Sequence, residues 1–241
     1  MIPRLTFFLL LTVATLCAQE PPPLPTAHET RSLQGWTVRV DRRLLEGSSA
    51  APGAEAVALL DRRLAEIARV VPAGPLRRLR EVPIQLDLTH GELRFAQYHP
   101  NPAWLREHGY SEALAKCVHL PEIRSFLSPY ENHRMPWAVL HELAHAYHDR
   151  VLGFEEPRLT AAWQKFCDGH RYDAALTIKG ERRRHYGLTD VKEFFAEMTE
   201  SYFGTNDFYP FVAGELKEAE PELFRLLAEI WGPLPALENF R

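Results

Sequence analysis

The chain has 241 residues, of which 46% are hydrophobic, and its formal net charge at neutral pH is -4. This length is sufficient for one domain with a sizeable core and too short for two large ones. The mildly acidic balance offers no electrostatic attraction to nucleic acid or to an anionic membrane surface. We therefore expect no nucleic-acid partner, and a folded enzyme or a binding module remains.

The N-terminus has the layout of a secretory signal peptide. Arg4 precedes an apolar run from Leu5 to Cys17, and Ala18 follows it. The run is too short to span a bilayer as a permanent anchor, so stable membrane insertion is not expected. Bulky Leu16, standing before Cys17, disfavours a lipoprotein. We expect residues 1–18 to be removed by cleavage after Ala18, which makes the mature protein secreted or periplasmic.

The mature chain is predicted to begin with a linker and to continue as a single domain over residues 36–241. Residues 19–35 are proline-rich and lack apolar periodicity, which predicts an extended segment outside the core. Apolar side chains then alternate with polar ones over residues 36–41, the period of a half-buried strand. Over residues 57–71 the apolar positions recur at steps of three and four, which predicts a helix that ends at Pro72.

The following segments predict a small sheet and then mainly helices. Residues 82–88 alternate, and residues 93–98 are expected to pair with them as an antiparallel partner beyond a turn at His90 and Gly91. Residues 117–120 are short enough for an edge strand. After Pro136, helices are expected, including ones near 157–168, 190–203 and 220–231. A small N-terminal mixed sheet followed by a mainly helical C-terminal half is the α+β pattern.

Two cysteines remain after the signal peptide has been removed. Cys117 and Cys167 lie in a chain that is predicted to enter an oxidising compartment. The residues leave two interpretations open, a disulfide between them or two buried free thiols.

The helix predicted after Pro136 contains the sequence H-E-L-A-H, residues 141–145. Positions four apart share one face of a helix, so His141 and His145 can bind one tetrahedral zinc ion. Glu142 beside them can take a proton from a zinc-bound water and return it to a leaving amine. This short motif also arises by chance, so it needs support from elsewhere in the chain.

Support comes from the downstream sequence Y-G-L-T-D-V-K-E-F-F-A-E, residues 186–197. Glu193 and Glu197 lie one helical turn apart, so one carboxylate can bind the metal while the other accepts a hydrogen bond from a ligand histidine. The alternative for Glu193 is a helix-capping pair with Asp190.

These motifs resemble those of the catalytic domain of anthrax lethal factor and its relatives, the gluzincin metallopeptidases that include the clostridial Pro-Pro endopeptidases. That family pairs an HExxH helix with a later E-F-F-A-E helix, which is preceded seven residues upstream by tyrosine and glycine. The similarity covers residues 134–204 of this chain. It implies a zincin-like fold that binds one zinc ion, with Glu193 as the third ligand, Tyr186 as the group that stabilises the oxyanion, and Glu197 as the carboxylate supporting a ligand.

Three further features have competing interpretations. His148 follows His145 by one turn, but a catalytic zinc needs its fourth position open for water, so His148 is not expected to be a ligand. Val118 and His119 lie on the predicted edge strand, to which an extended substrate can pair; the alternative is an interior structural strand. The arginine-rich residues 181–185 are expected to form a solvated loop; the alternative is that they attract an acidic substrate into the cleft.

The leading hypothesis from the sequence is a secreted zinc endopeptidase that acts on a peptide or protein substrate. Two alternatives remain. A zinc hydrolase of a non-peptide amide or ester would use the same water chemistry, and a zinc-binding protein without catalysis would need only the ligands. Glu142 argues against the second alternative, because a purely structural site has no use for a general base.

Overall fold

The computed structural model describes residues 22–235, so the predicted signal peptide lies outside the described residues. The α+β prediction is confirmed, with a mixed sheet at the N-terminal side and a helical C-terminal half. In chain order the elements are β1 (His28–Leu33), β2 (Trp36–Asp41), α1 (Ala50–Val70), α2 (Ala73–Arg80), β3 (Ile84–Leu86), β4 (Gln97–Tyr98), α3 (Pro102–Glu107), β5 (Val118–Leu120), α4 (Ile123–Phe126), α5 (Pro129–Arg134), α6 (Ala138–Tyr147), α7 (Pro157–Asp168), β6 (Ala175–Leu176), β7 (Arg182–Arg183), α8 (Val191–Phe203), α9 (Ala213–Ala219) and α10 (Pro221–Trp231).

The main sheet has the strand order β1-β2-β3-β5-β4. Strands β2, β3 and β5 are parallel, whereas β1 and β4 run antiparallel to their neighbours. Two predictions are therefore wrong. The segment at 93–98 pairs through β4 with β5 rather than with the 82–88 strand, and β5 lies inside the sheet, with β4 at its edge. Alternation in short runs identifies strands, but it does not specify which strands pair.

The predicted linker is also wrong for residues 28–33, which form β1. This strand pairs with β2 over its whole length, from His28 opposite Asp41 to Leu33 opposite Trp36. The two strands are joined by Gln34 and Gly35, both at positive φ, as a tight two-residue hairpin turn requires. Since β1 is an outer strand, it buries few side chains and shows no apolar alternation. Its backbone hydrogen bonds carry the pairing, and the sequence pattern does not reveal them.

Most of the buried hydrophobic side chains of the described residues form one core. The inward face of β2, which carries Trp36, Val38 and Val40, is fully buried, as are Leu60 and Leu64 of α1. The helix predicted at 57–71 begins earlier, at Ala50. Within residues 22–235, no helix has both the length and the apolar character needed to cross a membrane.

Helix α6 lies at the centre of the domain, and almost all of its side chains are buried. It contacts the sheet on one side and α8 on the other. The end of α8 comes very close to the residue before α6, because a Cβ added at Gly204 would lie 2.1 Å from Cε2 of Trp137. The absence of a side chain at Gly204 thus permits the close approach that holds α8 beside α6.

Cys117 and Cys167 are free thiols in the described part of the chain, so the disulfide alternative is not realised. Cys117 is buried at the start of β5, and burial raises the pKa of its thiol to about 11. Cys167 lies half-buried near the end of α7.

Candidate metal centre

Helix α6 presents His141 and His145 on the same face, as their four-residue spacing requires. Their rings are edge-on to one another, with centroids 4.7 Å apart and an interplanar angle of 83°. His141 is nearly fully buried, whereas His145 is partly open to a cleft. The facing helix is α8, whose first turn contains Glu193.

Glu193 completes a group of three donors. Its Oε2 lies 3.1 Å from Nε2 of His141 and 3.4 Å from Nε2 of His145. Donors about 2.0–2.1 Å from a tetrahedral zinc ion are separated by about 3.3 Å. The spacing and the nitrogen and oxygen donor set therefore fit one metal ion of this kind.

The alternative that Glu193 acts in helix capping is excluded, because Asp190 alone supplies the cap. The Asp190 carboxylate accepts hydrogen bonds from the backbone N–H groups of Lys192 and Glu193 and so caps α8 by itself. The side chain of Glu193 is directed towards the two imidazoles instead. Burial raises its pKa, but hydrogen bonds with His141 and His145 outweigh this effect and hold the pKa well below its ordinary value.

Glu142 is buried next to the donor group, and its position is fixed by the sheet. Its Oε2 accepts a hydrogen bond of 2.7 Å from the backbone N–H of Tyr98 on β4. Burial raises the pKa of this carboxyl, although the charges of His145 and His141 act in the opposite direction. A carboxylate with a raised pKa beside a metal-bound water can both accept a proton and return it.

The prediction that Glu197 supports a ligand histidine is wrong. Nδ1 of His141 donates to Oε1 of Glu200 at 2.7 Å, whereas the nearest oxygen of Glu197 lies 3.9 Å away. Both carboxyls are almost completely buried. Burial, with the nearby charges of Asp207 and Glu200, raises the pKa of Glu197 well above its ordinary value, which disfavours a charged carboxylate at this position. Glu200 is therefore the hydrogen-bond partner of His141.

Tyr186 lies in a short 3-10 turn before α8 and lines the same cleft as the donor group. Its side chain is 46% exposed, so its hydroxyl group is accessible to a molecule in the cleft. Partial burial, and then the negative charge of Glu193, raise its pKa. The hydroxyl therefore remains protonated at neutral pH and can donate a hydrogen bond.

His148 does not join the donor group. Its ring is fully buried between Phe154 and Phe195, and neither ring nitrogen has a hydrogen-bond partner among residues 22–235. The α-helical segment ends at this point and a π-helical turn follows over His148–Leu152, and His148 is not among the side chains whose donor atoms meet at His141, His145 and Glu193.

The donor group opens into a cleft of about 570 Å³. One wall is formed by β4 and the residues before it, and a second wall by the segment around Ile178. An apolar side cavity of about 90 Å³ adjoins the cleft at Glu142. Its lining includes Leu120, Phe126, Met135 and Val139.

The predicted substrate-binding residues Val118 and His119 lie away from this cleft. Both are fully buried on the interior strand β5. The edge strand that lines the cleft is β4. Sequence reasoning predicted a strand at 93–98 but missed its edge position beside the cleft, because side-chain alternation does not specify which strands pair.

Sequence reasoning also missed Glu200, although a signal for it exists. Positions i, i+4 and i+7 share one helix face, so the spacing that selected Glu197 includes Glu200 as well. The hydrogen bond between the backbone N–H of Tyr98 and Glu142 could not be predicted from residue types. Every residue except proline carries a backbone N–H, so the sequence does not indicate which one meets Glu142.

Comparisons of this chain with protein-family models, curated proteins and solved structures gave no match.

Proposed function

We propose that the protein is a zinc-dependent endopeptidase with a zincin-like fold, exported by its N-terminal signal peptide. The observation that carries the proposal is the meeting of His141, His145 and Glu193 at donor spacing, with Glu142 beside them at the wall of an open cleft. Two imidazoles and one carboxylate leave the fourth position of a tetrahedral ion free, as a catalytic zinc site requires.

A zinc ion held by this group would polarise a scissile carbonyl and lower the pKa of a water molecule to about 7. Glu142 accepts the proton of the attacking water and later donates it to the leaving amine. The Tyr98 N–H keeps the Glu142 carboxylate in place for both transfers. Tyr186 donates its hydroxyl hydrogen to the oxyanion that develops on the substrate. Glu200 holds His141 in the orientation in which Nε2 faces Glu193.

The substrate class is argued from the edge strand. The backbone N–H of His99 donates to Cys117 O, so the neighbouring groups of Tyr98 and Ala96 point to the opposite side, towards the cleft. The free backbone groups of Ala96 and the carbonyl of Tyr98 can pair with an extended peptide by strand addition. A small amide or ester has no use for such an edge, which favours a peptide substrate.

The test compares the mature protein with Glu142→Gln, using a pool of peptides derived from a proteome and a parallel measurement of bound zinc. Cleavage that a chelator abolishes is expected for the wild type. For Glu142→Gln we expect a loss of roughly 10²–10⁴-fold in kcat/KM with zinc retained. Full activity of this variant would refute the mechanism. If no peptide is cleaved but a small amide is hydrolysed, the substrate class is wrong.

A further inference from the structure

A second group of metal-type donors lies in the main sheet, outside the cleft. Asp87 directly follows β3, His90 is in the turn after it, and His119 is on β5. All three side chains are buried, with Asp87 and His119 fully inaccessible. One oxygen of Asp87, Oδ2, lies 2.7 Å from Nδ1 of His90 and 2.7 Å from Nε2 of His119.

The two imidazoles of this group are arranged like those of the candidate catalytic centre. The rings of His90 and His119 have centroids 4.6 Å apart at 81°, compared with 4.7 Å and 83° for His141 and His145. In each pair, the two rings direct a nitrogen towards one carboxylate oxygen. The sheet therefore repeats, with residues from different elements, the arrangement that α6 and α8 build at the cleft.

Hydrogen bonds alone do not explain why so many nitrogen atoms surround one oxygen of Asp87. Oδ2 also lies 2.8 Å from Nε2 of Gln85, so three nitrogens surround one oxygen. A carboxylate oxygen offers about two lone-pair sites. A cation at this position would accept lone pairs from the two imidazoles and from Oδ2, and a flipped Gln85 amide would present an oxygen as a fourth donor.

The surrounding side chains supply the outer contacts that a metal site uses. His99 Nε2 lies 3.1 Å from Nδ1 of His119, so it can fix the ring orientation that leaves Nε2 free for the ion. Nε2 of His28 lies 2.7 Å from the other oxygen of Asp87 and holds that carboxylate from β1. The His28 side chain is 22% exposed, which gives the site a route to solvent.

We propose that Asp87, His90 and His119 bind a second divalent metal ion, for which the nitrogen and oxygen donors favour zinc. The present separations of 2.7 Å are hydrogen-bond lengths, about 0.6 Å shorter than the spacing of donors on tetrahedral zinc. Binding replaces these hydrogen bonds and moves the donors apart by that amount. An ion here links β3, β5 and, through His28, β1, so its role is structural.

The experiment measures zinc per chain by elemental analysis after loading with excess zinc and removing the unbound metal. Wild type is expected to hold two ions. His141→Ala/His145→Ala is expected to keep one, and His90→Gln/His119→Gln is also expected to keep one. A control pair of exposed histidines, His108→Gln/His170→Gln, removes the same number of imidazoles and should leave two.

Circular dichroism checks that each variant is folded, and Asp87→Asn serves as a second variant that retains the shape of the side chain. A wild type that holds one ion, lost in His141→Ala/His145→Ala, overturns the second site. Two ions retained in both His90→Gln/His119→Gln and Asp87→Asn overturn its location. If the wild type holds one ion and only His90→Gln/His119→Gln loses it, the result supports the site at Asp87 and refutes zinc binding at the candidate catalytic centre.

Discussion

The backbone N–H of Tyr98 donates a 2.7 Å hydrogen bond to Oε2 of Glu142. This contact joins the edge strand of the sheet to the carboxylate that the proposed mechanism uses as its general base. The phenol of Tyr98 also donates to Asp149, close to the end of the same helical segment. The strand that is proposed to contact substrate and the helix that carries the proposed base are thus held in one position relative to each other.

Removing the Tyr98 N–H should impair the base without removing the metal. We compare Tyr98→Pro with Tyr98→Ala, since both lose the ring but only proline lacks the N–H. Proline keeps the pairing with β5 because this N–H points away from β5, but its Cδ occupies the place of the hydrogen and displaces the Glu142 carboxylate. We expect kcat/KM of the proline variant to be roughly 10-fold or more below that of the alanine variant, as for loss of a hydrogen bond to a charged group.

The same substitution should shift the pH profile. The Tyr98 N–H opposes the effect of burial on the Glu142 pKa, so its loss raises that pKa further. The acidic limb of kcat/KM is then expected at higher pH in Tyr98→Pro than in Tyr98→Ala, with equal zinc content. Identical pH profiles of the two variants would show that the Tyr98–Glu142 hydrogen bond does not affect the pKa of Glu142.

Glu200 and Glu197 make a matched pair for testing zinc affinity. Glu200→Ala should weaken zinc binding by about 10- to 100-fold, because the hydrogen-bond partner that orients His141 is lost. Glu197→Gln should bind zinc almost as the wild type does, since the nearest oxygen of Glu197 lies 3.9 Å from Nδ1 of His141, beyond hydrogen-bond distance. Competition with a chromogenic chelator measures both affinities. If Glu197→Gln weakened zinc binding more than Glu200→Ala, Glu197 would be the carboxylate that supports His141, as the sequence predicted.

Tyr186→Phe should reduce turnover more than substrate affinity. A hydroxyl that donates only to the developing oxyanion contributes in the transition state, so kcat should fall by about 10²-fold or more while KM changes little. Steady-state kinetics at fixed zinc occupancy measures the two constants. Tyr110→Phe is the control, because Tyr110 does not line the cleft. A kcat equal to that of the wild type would leave Tyr186 as a packing residue.

His148 should make stability depend on pH. Burial lowers its pKa from 6.5 to about 4. Between these values the unfolded chain binds the proton and the folded chain does not, so the free energy of unfolding falls as the pH falls from 6.5 to 4. The slope from one such group is up to ~1.4 kcal/mol per pH unit.

Replacing His148 by phenylalanine, which suits its aromatic surroundings, should remove this part of the slope. Urea unfolding of chelator-treated protein at several values between pH 4 and 6.5 measures the difference. The exposed His170 provides the comparison, and His170→Gln should retain the wild-type slope. An unchanged slope in His148→Phe would mean that His148 titrates normally in the folded protein.

Gly204→Ala should destabilise the protein and disturb the metal centre. The added Cβ would lie 2.1 Å from the Trp137 ring, so the end of α8 must move away from α6. Overpacking of this kind costs about 1–3 kcal/mol. Gly214→Ala is the control, because an added Cβ meets no atom within 4 Å there. Chemical unfolding should show a loss of stability, and zinc affinity should fall, in the first variant. The second should keep the wild-type zinc affinity and lose no stability, since alanine is the better helix former in α9.

Local patterns in the sequence predicted much of the helical half and the three donors. The spacing of His141 and His145, and the apolar period around Glu193, depend only on the geometry of a helix. For this reason the helices at 157–168 and 190–203 agree closely with α7 and α8. The observed positions of Glu193 and the histidines agree with the expectation drawn from the motifs, while the identity of the ion and the reaction stay predictions.

The tertiary structure decided the contacts that join distant elements. Helical spacing admits both Glu197 and Glu200 as partners of His141, and the packing of α8 against α6 selects Glu200. Likewise, β4 is the edge strand next to the cleft, and Asp87, His90 and His119 meet because β3 and β5 are neighbours. Side-chain periodicity specifies which face a residue occupies within its own element, but only the packing of elements determines which faces meet.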